Sequence, residues 1–210
     1  DFGQACLILF GWAVVYFVAG AHILLLIVVA AATIGLGSFA YTYSEHFARR
    51  IDGFLSPDLD PKTQLGYATN AIQEGGFFGV GVGEGQVKWS LPDAHTDFII
   101  AVAAEEYGFV LVGLILTIYA AVVCISLARL LRERDIFVRL AGTGLVCMFG
   151  IQAVINIGVA ARLLPAKGMT LPFVSYGGSS LIAGGITIGI LLALTRSRPQ
   201  KNVADIFING

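Results

Sequence analysis

Ile23-Leu24-Leu25-Leu26-Ile27-Val28-Val29-Ala30-Ala31-Ala32-Thr33-Ile34-Gly35-Leu36-Gly37-Ser38-Phe39-Ala40-Tyr41-Thr42-Tyr43 runs without a single charged residue. A helix needs roughly 20 mostly apolar residues to cross the hydrocarbon core of a bilayer, so this stretch reads as a membrane span. Outward from it, similar runs cover residues 5–19, 98–127, 140–161 and 180–194. The first is short, the run at 98–127 is long enough to tilt, and only Gly20-Ala21-His22 separates the first two as a tight hairpin. Composition agrees: 57% of residues are hydrophobic and 13% charged, with a mean hydropathy of +0.82, whereas a soluble domain carries about twice that charge. The pattern predicts an all-α polytopic membrane protein with about five transmembrane helices, residues 1–210 forming a single membrane domain.

The formal net charge of -1 and the absence of a basic run argue against nucleic acid as a partner and leave the lipid bilayer as the medium. Cys6, Cys124 and Cys147 all lie in apolar runs, so they read as small buried hydrophobes and not as a disulfide or metal framework. The chain opens on Asp1-Phe2-Gly3-Gln4 with no Met and no basic segment before the first apolar run. No signal peptide is expected, and the chain reads as amino-terminally incomplete.

Residues 44–97, between the second and third spans, form a loop too long to be a mere connection. Within it Asp60-Pro61 predicts a helix start, with a short helix to about Glu74 ended by Gly75-Gly76. Short loops rich in Arg and Lys lie in the cytoplasm. Arg129, Arg132, Arg134 and Arg139 follow the third span, and Arg196, Arg198 and Lys201 follow the fifth, in a tail over residues 197–210. Both clusters give one topology. It puts the amino end, the large loop and the loop holding Lys167 outside.

Several residues could carry chemistry on that outer side. Asp97 stands where the polar loop meets the third span, followed by Ile99 and Ile100. Its cheapest reading, shared with Thr96, is a helix cap. A carboxylate at the membrane lip is also within reach of a lipid-linked substrate, and His95 is a candidate proton partner. Glu105 and Glu106 follow about 12–13 Å further along a helix, where acids inside a membrane are costly unless paired. Gln152 and Asn156, at i and i+4, read as hydrogen-bonding glue between helices. The glycine-dense stretch from Gly75 to Gly85 lacks the Gly-Lys-Ser/Thr ending of a phosphate-binding loop. It reads as a surface or re-entrant loop, or as a backbone lining for a sugar-pyrophosphate groove. Lys167 sits among prolines and glycines, ahead of small residues at Gly177 to Ser180. It reads as a snorkelling cation or as a counter-charge for a pyrophosphate.

Pro92-Asp93-Ala94-His95-Thr96-Asp97-Phe98, Glu105-Glu106-Tyr107-Gly108, Pro165-Ala166-Lys167-Gly168 and Leu171-Pro172-Phe173-Val174-Ser175-Tyr176-Gly177-Gly178-Ser179-Ser180 closely resemble the SEDS family of polytopic membrane proteins. The likeness covers essentially the whole chain in order, and the Ser-Tyr-Gly-Gly-Ser-Ser segment is highly specific. Asp1-Phe2-Gly3 resembles the end of the family's Gln-Pro-Asp-Leu-Gly motif, with Phe for Leu. Two positions depart from the pattern: Arg162, where a small or neutral residue is expected, and Tyr107, in place of Leu or Phe.

The resemblance implies half of a ten-span fold, spans six to ten, with an outside start and an inside end. It implies a peptidoglycan glycosyltransferase that polymerises lipid II, with the family's essential outer aspartate at Asp97 as the catalytic base and undecaprenyl pyrophosphate as the leaving group. Lys88, His95, Thr96, Glu105, Lys167, Ser175, Gly177 and Ser179 are then the expected substrate-binding residues. A divalent cation, Mg or Mn, is the expected cofactor, with no organic cofactor. The implied partners are a class B penicillin-binding transpeptidase and other membrane proteins of cell division. The 93–97 and 166–168 segments favour the septal branch and hence the plasma membrane at the division septum. A lipid II flippase and a non-enzymatic division scaffold are the alternatives.

Overall fold

The computed structural model describes residues 2–56, 63–165 and 168–196, with the side chains of Phe2, Gly3, His46 and Arg50 left aside. Among the described residues eight helices follow one another: α1 (Phe2–Val18), α2 (Ile23–Tyr43), α3 (Glu45–Leu55), α4 (Gln64–Gly75), α5 (Val87–Ser90), α6 (Ile99–Leu130), α7 (Ile136–Ala160) and α8 (Gly178–Thr195). No strand appears among the described residues. Helices α2, α6, α7 and α8 are long and apolar enough to cross a membrane. The fifth expected span is α1, whose 17 residues sit at the lower limit for a crossing.

Helix α7 is the centre of the assembly, packed by α1, α6, α8 and α4. Its small residues Gly142, Gly144, Ala153, Gly158 and Ala160 are buried, which lets neighbouring backbones approach closely, as is usual between membrane helices. Tyr119 of α6 stacks on Phe149 of α7, ring centroids 5.3 Å apart, and donates its hydroxyl to the Pro172 carbonyl. Helix α2 buries no residue. A helix apolar all round suits that, because hydrocarbon is as good a solvent for it as another helix.

The large loop holds more structure than its sequence suggests. The helix foreseen over residues 61–74 begins instead at Gln64, with Thr63 accepting from the Gly66 N–H at 3.1 Å; Asp60 and Pro61 lie outside the described residues. Amphipathic α3 was not foreseen. Ser44 caps its start by accepting from Phe47 N–H at 3.4 Å. At its far end the Ser56 carbonyl accepts from Arg162 Nη2 at 2.6 Å. The unusual arginine thus ties α3 to the end of α7. Helix α4 is sunk against α6 and α7, with Leu65, Ala68 and Ala71 in one core with Leu91, Ala94, Phe98, Ala101 and Val159. That core pins the segment carrying Asp97 at three points.

Helix α6 breaks at Gly108, whose φ of 71° and ψ of -170° are not helical. The break frees the carbonyls of Glu105 and Glu106, and the glycine-rich loop fills it. Val80 N–H donates to Glu105 O at 2.9 Å and Gly81 N–H to Glu106 O at 3.2 Å, while Phe109 N–H reaches Gly76 O at 3.1 Å. Such an insertion satisfies the helix groups that the kink would otherwise orphan. Residues 109–130 alone rise about 33 Å, enough to cross a core of about 30 Å. Glu105 and Glu106 therefore need not lie deep in hydrocarbon, as the continuous apolar run implied.

Candidate active site on the outer face

The turn before α6 is built around Asp93. Its φ of 55° lies in the left-handed region, which Asp tolerates better than most residues. Its carbonyl accepts from the N–H groups of Thr96, Asp97 and Phe98 at 3.1, 3.1 and 3.3 Å and from Thr96 Oγ1 at 3.2 Å. The cap expected from Thr96 or Asp97 is not made. Helix α6 starts at Ile99 with Phe98 as its cap residue and no side-chain cap bond.

Asp97 is half-buried, and its carboxyl is pushed above the ordinary carboxylate value, first by burial and second by the negative charge of Asp93. No hydrogen bond contributes to the shift. Gly168 lies directly against this carboxylate: a Cβ on it would stand 3.2 Å from Oδ2. The backbone of Asp97 is held from α7, since Asn156 Nδ2 donates to Asp97 O at 3.0 Å and also to Met169 O. Gln152, one turn earlier, donates to Thr170 O at 3.1 Å. The pair read as helix glue instead clamps two loops, Asn156 holding the catalytic candidate to the segment after Lys167. Its i, i+4 spacing in an apolar span was the available signal, but sequence could not name backbone carbonyls as its partners.

The 171–177 turn closes the other side. Tyr176 N–H donates to His95 O at 2.8 Å. Ser175, 8% exposed, accepts from Leu171 N–H at 2.7 Å, so its hydroxyl shapes the turn. Gly177 precedes α8 and its carbonyl accepts from Ser180 Oγ at 3.0 Å. Ser179 faces a cavity of about 450 Å³ between α1, α7 and α8, lined also by Gln4, Gln152, Thr170 and Thr187. His95 is exposed beside Asp97 in the chain and Thr96 half-exposed.

Two expected substrate contacts turn out to be structural. Glu105 is fully buried, and its carboxylate accepts from the N–H groups of Val87 and Lys88 at 2.8 and 3.1 Å. It anchors the loop after Gly85 and is out of a substrate's reach. Lys88 donates to Glu106 in an ion pair with both side chains mostly buried, so its charge is neutralised within the protein. Lys167 lies outside the described residues. Among the described residues no three His, Cys, Asp or Glu side chains converge as a metal site. The donor set therefore does not fit a resident divalent cation held by protein ligands alone, and no step below passes through one.

The sequence model of the cell cycle protein family, that of FtsW, RodA and SpoVE, matches residues 1–200. The chain is 44% identical over 200 residues to a probable peptidoglycan glycosyltransferase FtsW of Caulobacter vibrioides, covering 95% of this chain and 51% of that protein. It is 35% identical over 202 residues to the stage V sporulation protein E of Bacillus subtilis, covering 93% and 55%. A solved chain from a study of a peptidoglycan synthase complex that coordinates polymerization and crosslinking superposes with a TM-score of 0.75 at 34% identity. That match covers 96% of this chain and 57% of the other. The chain thus spans about half the length of the curated relatives it matches. With motif order, helical architecture and overall similarity in agreement, this multi-pass membrane chain belongs to the SEDS family of FtsW, RodA and SpoVE cell cycle proteins.

Proposed function

We propose that the complete protein polymerises lipid II into glycan strands, with Asp97 as the general base. One observation carries this reading. Asp97 is a half-buried carboxylate of raised pKa, held by its backbone from α7, with Gly168 against its Oδ2 and no hydrogen bond to its oxygens among the described residues. A capping aspartate would have spent those oxygens on the start of α6, which has no side-chain cap bond. In the reaction the 4-hydroxyl oxygen of the acceptor sugar attacks the anomeric carbon of the donor. The bond from that carbon to the undecaprenyl pyrophosphate oxygen breaks, and the hydroxyl proton passes to Asp97. A base whose pKa is raised toward the working pH is better matched to that proton than an ordinary carboxylate.

Lys167, the chain neighbour of Gly168, supplies positive charge for the departing pyrophosphate. The names of the similar proteins support peptidoglycan glycosyl transfer within a synthase complex; its place at the septum of the plasma membrane, beside a class B penicillin-binding transpeptidase and other division proteins, belongs to this proposal. A Mg or Mn ion would arrive with the pyrophosphate, since such ions keep most of their water and take few protein ligands.

The test is polymer formation from purified lipid II by the complete protein with its transpeptidase. Glycan strands resolved on a gel are the expected product. Lipid II crossing vesicles without polymer would establish transport instead, and neither outcome would leave a scaffold.

A further inference from the structure

From beneath the 171–177 turn to the far end of the helices, α6 and α8 enclose a second site that the polymerase reading does not use. An apolar groove of about 620 Å³ runs between them, walled by Ile118, Val122, Ile125, Phe173, Ile188 and Leu192 among others, and ends at Arg129 and Thr195. Those last two residues and Leu192 also line an adjoining cavity of about 760 Å³ with Arg132, Glu133 and Arg196. From Ile118 to Arg129 an α-helix rises about 16 Å, which is the depth of one leaflet of a core about 30 Å thick. The basic end is the one that loop charge assigns to the cytoplasm.

We infer that this groove binds one anionic phospholipid of the cytoplasmic leaflet, its acyl chain along the wall of α6 and its phosphate among Arg129, Arg132 and Arg196. The charges are available for it. None of the three arginines makes an ion pair or side-chain hydrogen bond among the described residues. The carboxylate in their midst, Glu133, is already engaged as an acceptor for the N–H groups of Arg134 and Asp135 at 2.9 and 3.3 Å. Guanidinium groups suit a phosphate because their planar forks donate in pairs. Basic pockets between membrane helices on the cytoplasmic side are where anionic headgroups bind. Arginines that only set topology need no groove of leaflet depth behind them, and an apolar helix filling the groove would need no cluster of free cations at its mouth.

The site stands independently of the polymerase reading, and so does its test. The complete protein is taken from vesicles of equal phosphatidylglycerol and phosphatidylcholine, and lipids surviving stepwise delipidation are counted by native mass spectrometry. One phosphatidylglycerol should persist in preference to phosphatidylcholine. Arg129→Gln and Arg196→Gln should each weaken its retention about fivefold. Val122→Trp, or Leu192→Trp from the opposite wall, should displace it without changing charge. Equal retention of the two lipids overturns the proposal. So does loss in the arginine variants with full retention in both tryptophan variants, which is general attraction to headgroups. A photo-crosslinker at Val122 that captures protein instead of lipid would show that a helix fills the groove, and would also overturn it.

Discussion

Asp97 and Asp93 are four residues apart, and the charge of one raises the pKa of the other. A base must be ionised to act, so the polymerisation rate should fall as pH drops through the raised pKa of Asp97. Asp93→Asn removes one of the two causes of that shift. The acid limb of the rate profile should therefore move to lower pH; an unmoved limb would mean that Asp97 does not set it. The same shift has a sign in stability. A carboxyl whose pKa is higher folded than unfolded stabilises the protein below its unfolded pKa and loses that contribution as pH rises through the folded one. At neutral pH Asp97 is thus a liability to the fold, and Asp97→Asn should raise the melting temperature in a thermal scan. Asn156 is the opposite case. It is buried, with its Oδ1 unpartnered among the described residues, and its amide serves two carbonyls on separate loops. Asn156→Leu should cost about 1–3 kcal/mol in unfolding experiments, because those carbonyls lose their donor.

At the scale of elements, the break in α6 is the feature with most consequence. The glycine-rich loop reaches it only because Gly75, Gly79 and Gly108 let the two backbones pass without side chains between them. A Cβ on Gly75 would stand 1.9 Å from the Ala104 carbonyl oxygen, and one on Gly79 would stand 2.2 Å from that of Glu106. Gly75→Ala should therefore destabilise by about 3 kcal/mol or more, since rigid backbone cannot yield. Gly20→Ala is the control: its φ of +75° is left-handed but nothing lies within 4 Å, so its cost should stay near 1–2 kcal/mol. Chemical unfolding of both variants checks the contrast. Sequence showed the spans because length and apolarity are local properties, and α2 begins and ends where its composition does. It could not show the break, because a lone glycine in an apolar run is compatible with an unbroken helix. It could not show the role of Glu105 either, since the N–H groups it serves lie 17 and 18 residues upstream. Helix α3 was legible in principle, with Phe47, Ile51, Phe54 and Leu55 at helical spacing, but its charges drew it into the loop.

For the molecule as a whole, the site residues and the arginine cluster occupy opposite ends of the helices. In a background without Cys6, Cys124 and Cys147, a cysteine at His95 should react with a membrane-impermeant maleimide in intact cells. A cysteine at Arg134 should react only after permeabilisation, and labelling of both from one side would refute the topology. That topology would put Asp97 at the outer membrane–water boundary, where the proposed lipid-linked donor would be met, and the likeness to FtsW and SpoVE proteins extends over nearly the whole chain. The most direct test of the central claim is steady-state polymerisation of lipid II by the complete protein carrying Asp97→Asn. If Asp97 is the base, kcat should fall by about 10²–10⁴-fold with KM little changed, in a protein that melts no lower than the parent. Polymerisation at the parental rate, or a loss confined to KM, would contradict it.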